Sequence, residues 1–134
     1  MERNKSKPLA PIRSVAILVG MRTKNHESLV AILKAGGFDL VGAVSIIEDI
    51  TEISIKDDVT LLIVIDSGDK PETTIEQIKI AKVLHPDSRI AVMLGGVQIG
   101  GLIPLFQAGA HVCLDRGADP ITIRKSIELI LRHQ

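Results

Sequence analysis

The sequence predicts a single α/β domain, a (βα)5 doubly wound sheet of five parallel strands with helices on both faces. Three observations predict it. The chain has 134 residues, room for one domain that buries roughly two-thirds of its unfolded-chain surface. Its apolar runs are continuous but short, which marks strands covered on both faces and not buried helices. Between those runs the apolar residues fall at helical spacing, so that strand and helix alternate along the whole chain.

The elements follow in order. Residues 1–12 are polar and basic with two prolines and read as a disordered leader, so the domain spans 13–134. SVAILV at 14–19 is the first strand, ended by Gly20. Over 25–35, Leu29, Ile32 and Leu33 share a helical face, and Gly36 and Gly37 end that helix because glycine accepts the left-handed cap conformation. Residues 40–45 form the second strand. Over 46–55 the apolar residues Ile46, Ile47, Ile50 and Ile53 favour a short helix, against the β-branched content of the segment.

TLLIVI at 60–65 is the strongest strand and Asp66 stops it. Residues 73–84 are helical through Ile75, Ile78 and Ala81, with Lys82 interrupting the apolar face and Pro86 beyond the end. The fourth strand is 89–94, followed by a Gly-rich loop at 95–101. Residues 102–108 make a helical turn or two, with Pro104 tolerable only in the first turn. The fifth strand is 111–114. Asp119 is then an N-cap with Pro120 at the first helical position, opening a last helix through Arg132. The result is of flavodoxin-like type, with right-handed crossovers. In such sheets functional residues gather at the carboxyl ends of strands. Here those ends are 20–22, 66–69, 94–96 and 115–116.

Composition excludes several functions. The 16 basic residues balance 16 acidic ones, so the surplus that neutralises phosphates in nucleic-acid binders is missing. The only aromatic residues are Phe38 and Phe106, which leaves no stacking platform for single strands. A single cysteine, Cys113, cannot close an intramolecular disulfide, and no signal peptide or membrane-length apolar run is present; the expected compartment is the cytoplasm. His26, His85, His111 and His133 show no metal-ligand spacing, so no metal site is expected. No convergent acid, base and nucleophile set marks an enzyme.

Asp66, directly after the central apolar strand, is a carboxylate that could accept a phosphoryl group if a cation screened the charge; strands also commonly end at a polar turn residue. Asp66, the Pro86-Asp87-Ser88-Arg89 break before strand four, Gly109-Ala110 before strand five and Arg116 after it occur in an order that resembles the receiver domain of bacterial response regulators. The resemblance runs from about Ser14 to the C-terminus. It is nearest to receivers that precede a LuxR-type helix-turn-helix.

The resemblance implies a site with an acidic pair after strand one that helps hold Mg²⁺, a phosphoacceptor aspartate after strand three, a hydroxyl after strand four and a lysine after strand five. The acidic-pair positions here are Gly20 and Met21, without side-chain oxygens for Mg²⁺. The hydroxyl position is Leu94, or Gly95 if the register slips by one. Arg116 keeps the charge of the lysine but not its compact ammonium, and Cys113 stands at the aromatic switch position. Pro71 also lies five residues past Asp66, where the family usually has it at four.

Only the acceptor and a positive charge remain, which points to a pseudo-receiver: a regulatory domain that controls dimerisation or a DNA-binding output domain without normal phosphorylation. A working receiver using Asp66, with Mg²⁺ and a histidine kinase as partners, is the alternative within the family. From another class, the 95–101 loop would make a small flavodoxin-like protein that binds an anionic ligand, although it lacks the Walker lysine and the full Rossmann spacing. Cys113 in an apolar strand reads as an inert thiol more readily than as a redox sensor. The last helix carries Ile121, Ile123, Ile127, Ile130 and Leu131, either all core or partly surplus surface for a partner. In the receivers it resembles, helix one with helix five, or helix four with helix five, supplies the homodimer face. No contact with nucleic acid or membrane is expected of this domain.

Overall fold

The computed structural model describes residues 13–20, 26–56, 58–66, 71–95 and 101–132. The expected leader at 1–12, Met21 and residues 96–100 of the Gly-rich loop lie outside the described residues. Five strands, β1 (Arg13–Val19), β2 (Asp39–Val44), β3 (Val59–Asp66), β4 (Arg89–Leu94) and β5 (Val112–Asp115), form one sheet in the order β2-β1-β3-β4-β5. Every neighbouring pair is parallel. The order turns back on itself between β1 and β3, which opens a crevice at their carboxyl ends.

Alternation along the strands divides the core into two layers. Ile17, Ile63, Ile65, Ile90 and Val92 pack on one face against Ile47, Ile50, Ile78 and Leu105. Ala16, Leu18, Leu62, Val64 and Met93 pack on the other against Leu29, Leu33, Ile123 and Ile127. The second layer is covered by α1 (His26–Ala35) and α4 (Pro120–Arg132), the first by α2 (Pro71–Leu84), α3 (Ile103–Ala108) and a short 3-10 segment. Central β3 is therefore buried on both faces from Leu61 to Ile65, the physical reason for its unbroken apolar run.

The helix expected over 46–55 is instead a 3-10 segment, Ile47–Glu52. Its bonds run from Asp49 N to Ile46 O and from Ile53 N to Ile50 O, three residues apart. Ile47 and Ile50, also three apart, are its buried residues. Crowded β-branched side chains oppose a longer α-helix here. Elsewhere the differences are small: α2 begins at Pro71, β2 spans Asp39–Val44, and β5 reaches Asp115. Lys82, the break in the apolar face of α2, lays its stem against Gly109 and donates from Nζ to Pro86 O at 3.2 Å.

The caps read from the sequence are present. Gly37 has φ +90°, and Phe38 N donates back to Leu33 O at 3.0 Å, closing α1. Asp119 Oδ1 accepts from Thr122 N at 2.8 Å, and this backbone bond holds the Asp119 carboxyl below its ordinary value.

At the opposite end of the sheet, His111 Nδ1 accepts from Ile90 N at 3.0 Å while His111 N donates to Ile90 O at 2.8 Å. Burial first, and then the Lys82 and Arg89 charges, lower the imidazole pKa. The folded state therefore binds this proton less readily than the unfolded chain. The associated stability is complete above the ordinary histidine value of about 6.5 and is lost as pH falls through that value towards the lower folded one. Thermal melts between pH 7.5 and 5.5 should show a steeper fall in Tm for the native chain than for His111→Gln; parallel curves would refute the assignment.

Candidate functional site

Parallel pairing of β1 with β3 sets Val19 beside Ile65 and so brings Gly20 against Asp66. The approach is close. A Cβ at position 20 would lie 2.5 Å from the Asp66 carbonyl oxygen and 3.1 Å from the Asp66 Cβ, and Gly20 has φ +138°. Both features demand glycine.

Arg116 arrives from the far side of β4. Its N–H donates to Leu94 O at 2.7 Å, continuing the β4–β5 ladder past Asp115. A tight turn follows, in which Asp115 Oδ1 accepts from Gly117 N at 2.9 Å and Asp115 O accepts from Ala118 N at 2.9 Å. From this anchor the guanidinium crosses the end of β4 and meets Asp66. Nε and Nη2 both donate to Asp66 Oδ1, at 3.0 and 2.7 Å. The Asp66 side chain is 10% exposed and that of Arg116 22%, so the pair is largely withdrawn from water. Gly95 lies under the crossing: a Cβ there would sit 3.3 Å from Arg116 Nη1, tight enough to push on the guanidinium.

Several expected site residues part company. Leu94 is buried in the layer covered by α2 and α3, away from Asp66, so Gly95 is the residue after β4 that adjoins the pair. Cys113 pairs with Val92 and packs on that same layer, where burial pushes its thiol up to about 11. It is protonated at neutral pH and remote from the Arg116 guanidinium's partner. Asp66, Arg116, Gly20 and Gly95 come together; Leu94 and Cys113 do not join them.

The described residues do not fit a Mg²⁺ ion. Gly20 offers no side-chain oxygen and has no space for one, and a guanidinium already lies on Asp66. Among the described residues no group of three or more His, Cys, Asp or Glu could hold a metal. What the arrangement does is neutralise a part-buried carboxylate with a cation and tie β3 to β5 across β4.

A cavity of about 170 Å³ opens beside the pair, between α1 and α4, with Met93 in its floor. No sequence motif marks it, because its lining comes from α1, α4 and the carboxyl ends of β3, β4 and β5.

No protein-family model matches the sequence, and no curated protein is similar to it at a significant level. Solved structures are similar. A response regulator from Thermotoga maritima superposes with a TM-score of 0.75 at 17% identity, over 90% of this chain and 99% of its own. The CheY-like response regulator receiver domain protein from Methanospirillum hungatei gives 0.70 at 17% identity, over 91% of this chain and 95% of its own. The domain has the receiver fold. A two-component response regulator of the LuxR family from Aurantimonas shares it, with a TM-score of 0.70 at 19% identity over 90% of this chain and 86% of its own. At such identities the likeness is one of fold. In this receiver fold Asp66 ends the third strand and Arg116 follows the fifth, while the ends of the first and fourth strands carry glycine. Among the described residues no helix is long and apolar enough to cross a membrane.

Proposed function

We propose that this chain is a pseudo-receiver, the regulatory domain of an atypical response regulator, which controls dimerisation or a DNA-binding output domain without normal phosphorylation. The observation that carries this is the Arg116 guanidinium seated on Asp66 Oδ1 beside a glycine that admits no acidic side chain. Phosphoryl transfer to an aspartate needs a carboxylate oxygen free to attack and a cation to screen the charge that gathers on the incoming group. Here the carboxylate is engaged, and a phosphoryl group would add about −2 charge with a single arginine to answer it.

Intact mass after incubation with Mg²⁺ and acetyl phosphate tests this, with Asp66→Asn alongside. The expected spectrum shows no phosphoryl adduct on either protein. An adduct on the native chain that is absent from Asp66→Asn would make Asp66 a working phosphoacceptor, with a histidine kinase and Mg²⁺ as its partners.

For the dimer we favour the first and last helices over the α3–α4 face. An apolar groove runs between α1 and α4, bordered by Ala31, Ile32, Ala35, Pro120 and Ile121. Ile121 is 58% exposed, so the apolar residues of the last helix are not all core: Ile123 and Ile127 are buried, Ile121 and Leu129 are not. Light scattering on the native chain should give twice the monomer mass, and Ile121→Asp should return it to monomer; a native chain that stays monomeric at high concentration would refute a self-contained dimer face.

A further inference from the structure

At the amino end of the sheet, β4, β5 and α4 are joined through one histidine and one arginine. His111 directly precedes β5, and its Nδ1 accepts from the backbone N–H of Ile90 at 3.0 Å. An imidazole nitrogen that accepts carries no proton, so the ring proton is on Nε2. Ile90 is fully buried, which leaves its N–H dependent on an acceptor from the protein. The ring therefore completes the β4–β5 ladder at its first step, beside the bond of 2.8 Å from His111 N to Ile90 O.

Among the described residues, the charges that act on this ring are both cations. Lys82 comes from α2, with Nζ on Pro86 O at 3.2 Å, and Arg89 opens β4. Residues 103–114, which hold α3 and most of β5, contain no charged residue to offset them. Arg89 reaches on to α4: its Nε donates to Ile130 O at 3.3 Å, 41 positions away. Ile130 lies in the last turn of α4, where carbonyls have no helical N–H to accept from, so Arg89 caps that end.

We propose that His111, Arg89 and the end of α4 form a proton-operated latch. A proton taken from water by His111 Nδ1 turns that nitrogen from acceptor to donor. Ile90 N–H then loses its partner, and a third cation stands with Lys82 and Arg89. One movement relieves both: the ring leaves the strand, Arg89 withdraws from Ile130 O and the last turn of α4 frays. The sheet holds, since Val112 to Asp115 stay in register with β4. Burial and the two cations oppose the proton in the closed form. The latch is therefore closed at neutral pH and opens as pH falls below the ordinary histidine value of about 6.5. Asp66 and Arg116 take no part in it, so it stands apart from the pseudo-receiver reading.

Hydrogen exchange of the native chain, followed amide by amide by NMR at pH 7.5 and 5.0 and corrected for the intrinsic rate, tests it. Protection of Ile90 N and of the amides in the last turn of α4 should fall together by about tenfold or more, the scale set by an orphaned buried donor. Ile63 in central β3 should keep its protection. His111→Gln, whose side-chain carbonyl can accept from Ile90 N–H but binds no proton, should show no such fall. Arg89→Ala should fray the last turn of α4 at both pH values and leave Ile90 protected at pH 7.5. Unchanged protection of Ile90 in the native chain, an equal fall in His111→Gln, or an end of α4 that stays protected when Ile90 opens would each overturn the latch. So would a matching loss at Ile63, because the domain would then be unfolding as a whole.

Discussion

Gly20→Asp, which restores an acidic residue at the end of the first strand, will destabilise the domain by about 3 kcal/mol and will not create a Mg²⁺ site. The reasoning begins with Cβ and not with the carboxylate. A Cβ at position 20 meets the Asp66 carbonyl oxygen at 2.5 Å, backbone that cannot swing away, because β1 and β3 are paired in register up to Val19 and Ile65. A φ of +138° adds strain for any L side chain. Gly20→Ala should therefore account for most of the loss. Urea denaturation measures both variants, and a Mg²⁺ titration of Tm accompanies it. Gly20→Asp with an unchanged urea midpoint, or with a Tm that rises in Mg²⁺, would show that the strand end relaxes more readily than its geometry indicates.

Arg116→Ala carries the second large effect, a loss of about 2 kcal/mol. Removing one partner of a withdrawn ion pair leaves the other desolvated and unanswered by its cation. The loss falls below that of a fully buried pair because the Arg116 side chain is still 22% exposed. Arg116→Lys should fall between: it keeps the charge, but an ammonium cannot reproduce the two-donor contact from Nε and Nη2 to Asp66 Oδ1. Combining Arg116→Ala with Asp66→Ala should cost less than the sum of the single losses, since the second change removes the orphaned charge. Additive losses in urea denaturation would mean that the two side chains do not stabilise one another.

Much of the architecture was legible because it depends on neighbours close in sequence. Unbroken apolar runs identified the strands, and Gly36-Gly37 and Asp119-Pro120 marked the end of α1 and the start of α4 where the hydrogen bonds now lie. Over residues 46–55 the spacing of the isoleucines favours a short helix and their β-branched content opposes it. The 3-10 form instead buries just Ile47 and Ile50 against the sheet, and packing made that choice. The surplus apolar residues of the last helix were equally ambiguous, because the sequence does not say which neighbours lie over Ile121.

The sequence by itself determined the strands, most of the helices and their alternation, and it placed glycine at positions 20 and 95, directly after the first and fourth strands. It also supplied Asp66 and Arg116 as separate features. Only the tertiary structure decided that these features are one site. Asp66 and Arg116 are 50 positions apart, and Gly20 reaches Asp66 solely because β1 and β3 are neighbours in the sheet. Periodicity reports contacts within a few residues along the chain, whereas strand order is set by how the crossovers pack. A salt bridge across β4, and the cavity beside it, exist only once that packing is complete.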